Sequence, residues 1–310
     1  MTQAVIVSTA RTPIGKAYRG LFNNTEAPTM AGHAIRAAVE RAGIEGGEVD
    51  DVIMGCAMPQ GTQSLNVGRM AALAGGLPVT VSGMTMDRQC SSGLMAIATA
   101  AKQVLHDGMR IVVGGGLEHI SLVQNEHLNG FRRLDPRLKA MHENVYMPML
   151  HTAEVVAARY GISRERQDEY ALESQQRTAA AQAAGLFAEE IITVSANVEM
   201  KDKKTGELSY KDVTVAMDEG NRADTTAAGL AALKPVIEGG CITAGNASQL
   251  SDGAAAVVVM DDATAARKGL QPLGIYRGIA VAGCEPDEMG IGPVFAIPKL
   301  LKQHGLSMDD

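Results

Sequence analysis

The sequence predicts an α/β fold in which helices cover a largely buried sheet. Short apolar runs alternate with Ala-rich stretches of helical length through the first 120 residues. A glycine follows each of the first three helical stretches, as is common at helix C-termini. Hydrophobic residues form 46% of the 310 residues and charged residues 20%, so the chain can bury a large core.

The elements of this first region can be placed in order along the chain. The predicted strands are residues 5–7, 52–54, 84–86 and 111–113. The predicted helices are residues 29–42, 65–74 and 91–105. The glycines expected to end these helices in the left-handed conformation are Gly43, Gly75 and Gly108. Strands separated by helices in this way indicate a layered sheet with buried faces.

Residues 120–248 differ in composition from the first region and are predicted to be an insertion. Charged residues become more frequent, and the segments 130–140 and 201–212 are expected to be surface loops. Within the second segment Lys201, Lys203 and Lys204 are expected at a hairpin turn. Residues 163–184 form a predicted helix with Ser163 as its N-cap and Gly185 after its end. Strand character returns at residues 254–260, followed by a short helix and a strand-like run at 274–282.

A weak internal repeat indicates two related halves. Residues 33–51 resemble residues 295–310 when two positions are gapped, since both run from a helix through Gly to a paired Asp-Asp. A chance match between two amphipathic helices is the alternative. In the first copy a buried strand follows at once, whereas the second copy ends at Asp310. We therefore expect the second half to be truncated.

Composition and charge argue against several classes of protein. The net charge is -7 and the cationic residues are scattered, which does not suit a nucleic-acid binder. The four cysteines lie far apart without metal-ligand spacing, so neither a metal site nor a disulfide framework is predicted. No apolar run approaches the roughly 18 residues of a membrane span. These features favour a cytoplasmic protein that does not bind membranes or nucleic acids.

Cys90 is the candidate nucleophile. It stands in the segment Arg-Gln-Cys-Ser-Ser-Gly-Leu, where an extended run ends and an Ala-rich helix begins. Unpaired N–H groups and the positive end of the helix dipole stabilise a thiolate at such a position. The small residues Ser91, Ser92 and Gly93 would allow a substrate to approach the backbone. The alternative is a buried free cysteine that packs as a small hydrophobe.

Six segments together resemble the thiolase family of acetyl-CoA acetyltransferases and 3-ketoacyl-CoA thiolases. They are residues 10–15 (ARTPIG), 88–94 (RQCSSGL), 112–121 (VVGGGLEHIS), 151–157 (HTAEVVA), 243–260 (TAGNASQLSDGAAAVVVM) and 290–293 (GIGP). The resemblance implies two related α/β halves with mixed sheets and an inserted loop domain. It also implies acyl transfer between coenzyme A thioesters through an acyl-enzyme on Cys90, in fatty-acid metabolism.

The same resemblance implies a division of the chain and a set of substrate contacts. The N-terminal half would be residues 1–119 with 249–272, the CoA-binding loop domain 120–248, and the start of the incomplete C-terminal half 273–310. The residues that match substrate-binding positions are Met149, Arg222, Ala244, Ala247 and Ser248. Coenzyme A is expected as a substrate, with no separate cofactor. A homodimer or homotetramer is implied by the resemblance alone.

Three motifs that complete the family's catalytic centre do not occur in this sequence: Gly-His-Pro, Cys-x-Gly-Gly and Asn-Glu-x-Phe-Ala. A nucleophile without its base loses several orders of magnitude in rate. We therefore expect the 310-residue chain to be nearly inactive. Two alternatives are a non-catalytic CoA-binding fragment and a condensing enzyme related to the ketoacyl synthases.

Two further features are predicted to be structural. His119 follows an apolar strand and is expected to support the fold instead of reacting. The three glycines Gly114 to Gly116 lack the spacing of a nucleotide-binding loop, so they indicate close packing of backbones.

Overall fold

The computed structural model describes residues 2–310. Contacts divide the chain into two compact units. The first runs to Leu128 and includes Phe187–Gly220 and Leu250–Tyr276. The second comprises Asn129–Leu186, Asn221–Gln249 and Arg277–Asp310. The division expected from family resemblance, with boundaries at residues 119/120, 248/249 and 272/273, remains a prediction, because grouping by contacts does not reveal which segments are related halves.

The described residues contain nine strands. They are β1 (Ala4–Arg11), β2 (Gly15–Lys16), β3 (Asp51–Gly55), β4 (Ser82–Met86), β5 (Ile111–His119), β6 (Val194–Lys201), β7 (Leu208–Val215), β8 (Ser251–Asp261) and β9 (Gly274–Ile275). Seven form one mixed sheet in the order β4-β3-β5-β8-β1-β9, with β2 paired to β8. Strand β3 is parallel to β4 and β5, whereas β8 is antiparallel to β5 and β1. Strands β6 and β7 form a separate antiparallel hairpin.

The described residues contain ten α-helices. They are α1 (Ala27–Arg41), α2 (Val67–Ala74), α3 (Ser92–His106), α4 (Ile120–Val123), α5 (Pro136–Met141), α6 (Met149–Arg159), α7 (Arg164–Ala183), α8 (Ala227–Ala231), α9 (Asp262–Arg267) and α10 (Gly292–His304). Short 3-10 helices occupy Gly46–Glu48, Gly61–Gln63 and Pro286–Ile291. No helix within residues 2–310 is both long and apolar enough to cross a bilayer.

Apolar side chains cover both faces of the large sheet, which confirms the predicted α/β class. Val52 and Met54 pack in a cluster that includes side chains of α1. Ile53, between them, packs in a second cluster with Ala96 and Ala100 of α3. Successive strand residues point to opposite faces, so a strand buried on both sides needs an unbroken apolar run. This is why the predicted strands in the first 120 residues contain so few polar side chains.

Each predicted strand and helix of the first region is confirmed, although β1 and β5 extend four and six residues beyond their predicted ends. The prediction for Gly75 was wrong: its φ is -70°, and the next residue, Gly76, has the positive φ of 87°. Gly75 thus keeps a helical conformation as the C-cap residue of α2, and the chain reverses at Gly76. Gly43 and Gly108 do adopt positive φ, as expected.

The predictions for the later segments were only partly right. The helix of residues 163–184 is confirmed as α7, and the Ser163 side chain caps it. The hairpin turn is confirmed, but the eight-residue strands on either side of it were not predicted. Alternating burial of Val194, Ala196 and Val198 was the signal that could have revealed β6. Residues 136–141 form the short helix α5 within the expected loop, and only Gly274–Ile275 of the run 274–282 is a strand.

Candidate active site

Cys90 lies in the first unit, between the end of β4 and the start of α3, and its thiol is exposed. This placement excludes the alternative of a buried cysteine. Ser91 is the N-cap residue of α3, but its side chain does not cap the helix. Its hydroxyl instead donates to the carbonyl of Arg88, at 2.9 Å. The N–H groups of Ser91 and Ser92 donate to the carbonyls of Arg88 and Gln89, at 3.1 and 3.0 Å, so the start of α3 offers a negative charge the positive end of its dipole.

Glycines in the sheet allow α3 to approach closely. A Cβ atom on Gly55 of β3 would lie 2.1 Å from the carbonyl carbon of Ser92, and one on Gly116 of β5 would lie 3.0 Å from the Cα of Gly93. Any larger residue at Gly55 would force the two backbones apart. Cβ atoms on Gly114 and Gly115 would lie 2.9 Å from the Cα of Ile97 and 2.2 Å from the carbonyl oxygen of Ala255, so the expected close packing at Gly114 to Gly116 is confirmed. The contacts of Gly55 and Gly116 fix the start of α3.

The turn that carries Cys90 has an unusual backbone. Gln89 has a φ of 46°, a region that residues with a side chain rarely adopt. The buried hydroxyl of Ser92 accepts from the N–H of Arg88 at 2.8 Å and donates to the carbonyl of Gln89 at 2.5 Å. Side-chain hydrogen bonds therefore hold the residues just before the nucleophile.

His119 is fully buried and serves the fold, as predicted. Its Nδ1 accepts from the N–H of Leu122 at 3.2 Å, so its Nε2 carries the proton and donates to the carbonyl of Phe22 at 3.1 Å. Both ring nitrogens are occupied by backbone groups. The side chain therefore joins the end of β5 to helix α4 and to the turn that contains Phe22.

Cys56 contrasts with Cys90. It is buried, and loss of solvation together with the carboxylate of Glu118 raises the pKa of its thiol to about 12. A thiol of this kind is inert at neutral pH. The two cysteines therefore differ in solvent exposure, and their spacing in the sequence does not reveal this difference.

Three of the predicted substrate-binding residues share one turn in the second unit. Ala244 and Ser248 are exposed and Ala247 is partly buried. The Asn246 side chain accepts from the N–H of Thr243 at 2.8 Å, and the N–H of Ala247 donates to the carbonyl of Thr243 at 3.0 Å. The small side chains thus lie on a tightly closed turn.

Helix α7 supports this turn and the segment that carries Arg222. Its residue Asp168 accepts from the Asn246 amide at 3.1 Å. Seven residues further along, Gln175 accepts from the backbone N–H of Arg222 at 2.7 Å. Residues seven apart lie on the same face of a helix, about 10 Å from each other along its axis. The exposed side chain of Arg222 and the turn therefore have a common support.

A carboxylate of α6 anchors the chain just before the turn. Glu154 accepts from the N–H groups of Cys241 and Ile242 at 3.0 and 2.8 Å. Burial alone would raise the pKa of the Glu154 carboxyl, but these hydrogen bonds outweigh it and hold the pKa below its usual value. Burial, with Glu154 beside it, raises the pKa of the Cys241 thiol. Glu154 is therefore an ionised structural anchor.

The remaining predicted contact, Met149, begins α6 and is 61% exposed. A shallow cleft of about 360 Å³ lies near the other end of that helix, between Ala157, Ile162 and Gly240. The five predicted substrate-binding residues are not among its lining residues. Within residues 2–310, no cluster of three or more His, Cys, Asp or Glu side chains could hold a metal ion.

Sequence reasoning predicts roles for Cys90 and for the turn of residues 244–248, but it did not predict the residues of α7 that support that turn and Arg222. Asp168 and Gln175 contact segments 78 and 47 positions away in the chain. Polar residues on a charged helix such as α7 give no local sign of such contacts.

Comparison with known proteins agrees with the motifs. Residues 4–263 match the family model described as "Thiolase, N-terminal domain", and residues 270–310 match "Thiolase, C-terminal domain". The 3-ketoacyl-CoA thiolase of Bacillus subtilis (strain 168) is 43% identical over 313 residues, spanning 100% of this chain and 79% of that protein. The peroxisomal 3-ketoacyl-CoA thiolase B of Mus musculus is 40% identical, spanning 100% and 72%. The crystal structure of the Bacillus anthracis acetyl-CoA acetyltransferase superposes with a TM-score of 0.84 at 39% identity, covering 100% of this chain and 78% of that one.

Proposed function

Because the chain belongs to the thiolase family, we propose that it transfers acyl groups between coenzyme A thioesters through a covalent intermediate on Cys90. Its membership of this family makes the chain an acyltransferase. The observation that supports Cys90 as the nucleophile is its exposed position on a rigid turn at the start of α3. The predicted substrate-binding roles follow from the family motifs.

The proposed reaction has two steps. The Cys90 thiolate adds to the 3-keto carbonyl of a 3-ketoacyl-CoA, and the C–C bond between C2 and C3 then breaks. Acetyl-CoA leaves as its enolate and takes up a proton, while the acyl group stays on sulfur. The thiol of a second coenzyme A then attacks this thioester, which gives acyl-CoA and free Cys90. The reverse sequence joins two acetyl-CoA molecules.

The second unit would bind coenzyme A as a substrate. The exposed guanidinium of Arg222 suits a phosphate group. Ala244 and Ala247 have side chains small enough to let a pantetheine chain lie against the turn, and Ser248 offers a hydroxyl. Met149, exposed and flexible, would contact the acyl part. Replacing Arg222 with Ala should weaken CoA binding about tenfold, whereas Arg166→Ala on an exposed face of α7 should leave it unchanged.

Acylation mapping tests the role of Cys90. The protein is incubated with acetyl-CoA and digested, and each cysteine peptide is weighed by mass spectrometry. We expect an added acetyl group on Cys90 and none on Cys241 or Cys284. A Cys90→Ser variant should show no thioester, and label on another cysteine would contradict the proposal.

Turnover tests the prediction that the 310-residue chain alone is nearly inactive. Acylation can proceed slowly without a dedicated base, but rapid thiolysis requires one. We therefore expect thiolysis of acetoacetyl-CoA to be slower by several orders of magnitude than in a family member that carries all three missing motifs. A comparable rate would contradict this prediction, and a chain that binds CoA without ever becoming acylated would be the non-catalytic fragment instead. Acylation from a carrier protein but not from CoA would favour the ketoacyl synthase alternative.

Assembly as a homodimer or homotetramer and a cytoplasmic location remain predictions. Light scattering of the purified protein tests the first, and fractionation of the cells that produce it tests the second.

A further inference from the structure

Two neighbouring side chains form hydrogen bonds with the backbone carbonyl and N–H of Gln89, the residue before the nucleophile. Its carbonyl accepts from the buried hydroxyl of Ser92 at 2.5 Å. Its N–H donates to Oδ1 of Asp87 at 2.6 Å. The φ of 46° at Gln89 is unfavourable for a residue with a side chain, so the turn keeps this conformation only if its surroundings impose it. Asp87 supplies one of the two constraints.

The Asp87 carboxylate has no role in the core, because the residue is exposed. The hydrogen bond to the Gln89 N–H is a local turn contact of the kind that Asp and Asn side chains make with the backbone two residues on. The contribution that favours acyl transfer is therefore geometric.

We propose that Asp87 is a positioning residue that holds Gln89 in its left-handed conformation and thereby aims the Cys90 sulfur at the substrate carbonyl. This inference rests on the proposed function, because it concerns the same nucleophile. A displacement of the sulfur by about 1 Å is enough to slow attack by about a hundredfold.

Two substitutions at Asp87 separate geometry from charge. We expect Asp87→Ala to slow acylation of Cys90 by acetyl-CoA about 10- to 100-fold in a time course followed by mass spectrometry. Asp87→Asn keeps an oxygen that accepts from the Gln89 N–H, so acylation should stay within about threefold of the unsubstituted protein. Asp107→Ala, which removes an exposed carboxylate at the other end of α3, is the matched control and should change nothing.

A second readout distinguishes positioning from a general loss of structure. Iodoacetamide is a small reagent that can approach the thiol from many directions, so its rate with Cys90 should change by less than about threefold in each variant. A merely structural role would alter both reactions together and would lower the melting temperature. We expect the acylation rate alone to fall in Asp87→Ala.

Glycine at position 89 supplies a direct test of the backbone argument. Glycine adopts positive φ readily, so the Gln89→Gly background should need Asp87 much less. In that background Asp87→Ala should slow acylation of Cys90 by less than about threefold. The effects of the two substitutions would then be strongly non-additive.

Each outcome has a definite meaning. Equal losses in Asp87→Ala and Asp87→Asn would show a role of charge and would overturn the proposal, as would normal acylation in Asp87→Ala or an undiminished loss in the Gln89→Gly background. Absence of acylation at Cys90 in the unsubstituted protein would instead defeat the proposed function, and this inference with it.

Discussion

The carboxylate of Asp168 joins two side chains from different parts of the second unit. It accepts from the Asn246 amide at 3.1 Å and from Nε of Arg164 at 2.7 Å, and Asp168 is buried. Arg164 continues the network to the carbonyl of Leu230 at 2.6 Å. One residue of α7 therefore holds both the turn of residues 244–248 and, through Arg164, the end of α8.

Replacing Asp168 with Ala should destabilise this network. The change leaves the Asn246 amide and the Arg164 guanidinium without their shared acceptor, at a cost of about 1–3 kcal/mol in the free energy of unfolding. In a protein of this size each kcal/mol lost lowers the melting temperature by about 2–4 °C. A decrease of several degrees is therefore expected. Thermal unfolding and CoA titration measure the two effects. Glu169→Ala is the control, because its ion pair with Arg166 is exposed and should contribute about 0.5 kcal/mol or less.

Replacing Gly55 with Ala should disturb the start of α3. The added Cβ would meet the Ser92 backbone at 2.1 Å, and neither β3 nor α3 can move without repacking the core. We expect a loss of about 1–3 kcal/mol in stability and a fall of about a hundredfold in the acylation rate. Gly130→Ala is a matched control, since its added Cβ would meet no atom within 4 Å. Normal acylation in the Gly55 variant would mean that close packing does not set the position of Cys90.

Local pattern explains which parts of the fold could be predicted. Val52 to Met54 and Ile111 to Val113 are apolar at every position because both faces of their strands are buried, and that signal is visible in the sequence. The motif around Cys90 likewise depends on neighbours within a few residues. Both stand out in the sequence, and the catalytic role of Cys90 stays a prediction.

Long-range contacts explain what could not be predicted. The hairpin of β6 and β7 contacts the rest of the first unit through Asn197. The Asn197 N–H donates to the hydroxyl of Thr25, which lies 172 positions away in the chain, at 2.9 Å. Asp218 is joined in the same way to Arg11. Spacing along the chain gives no sign of either contact. Such contacts group residues 187–220 with the first unit, which spacing along the chain could not reveal.

The ion pair of Arg11 and Asp218 should make stability depend on pH under acidic conditions. Burial alone would raise the pKa of the Asp218 carboxyl, but hydrogen bonds from Arg11 and the Ile14 N–H outweigh it and lower the pKa below its usual value. A carboxyl with a lowered pKa in the folded state contributes stability above the unfolded pKa, about 3.9, and loses it as pH falls through the folded value. Asp218→Asn should thus cost about 1–2 kcal/mol at pH 7.

Urea unfolding at several pH values measures this effect. The difference between the unsubstituted protein and Asp218→Asn should be constant from pH 7 to about pH 5 and should shrink below about pH 4. A difference that grew on acidification would have the wrong sign for a lowered pKa. Asp212→Asn is the control, because Asp212 lies on the exposed strand β7 and accepts a hydrogen bond from the Asn197 amide instead of forming an ion pair with an arginine.

Alkylation at neutral pH should distinguish the cysteines of the first unit. Cys90 is exposed, whereas burial raises the pKa of the Cys56 thiol to about 12, so at pH 7.5 Cys56 offers iodoacetamide neither access nor thiolate. We expect Cys90 to react at least about 100-fold faster, as measured by peptide mapping over time, and Cys56 to react only after unfolding in urea. Prior incubation with acetyl-CoA should slow alkylation of Cys90, because an acylated sulfur cannot attack the reagent. Rapid labelling of Cys56 in the folded protein would contradict its burial, and an alkylation rate at Cys90 unaffected by acetyl-CoA would argue against the acyl-enzyme.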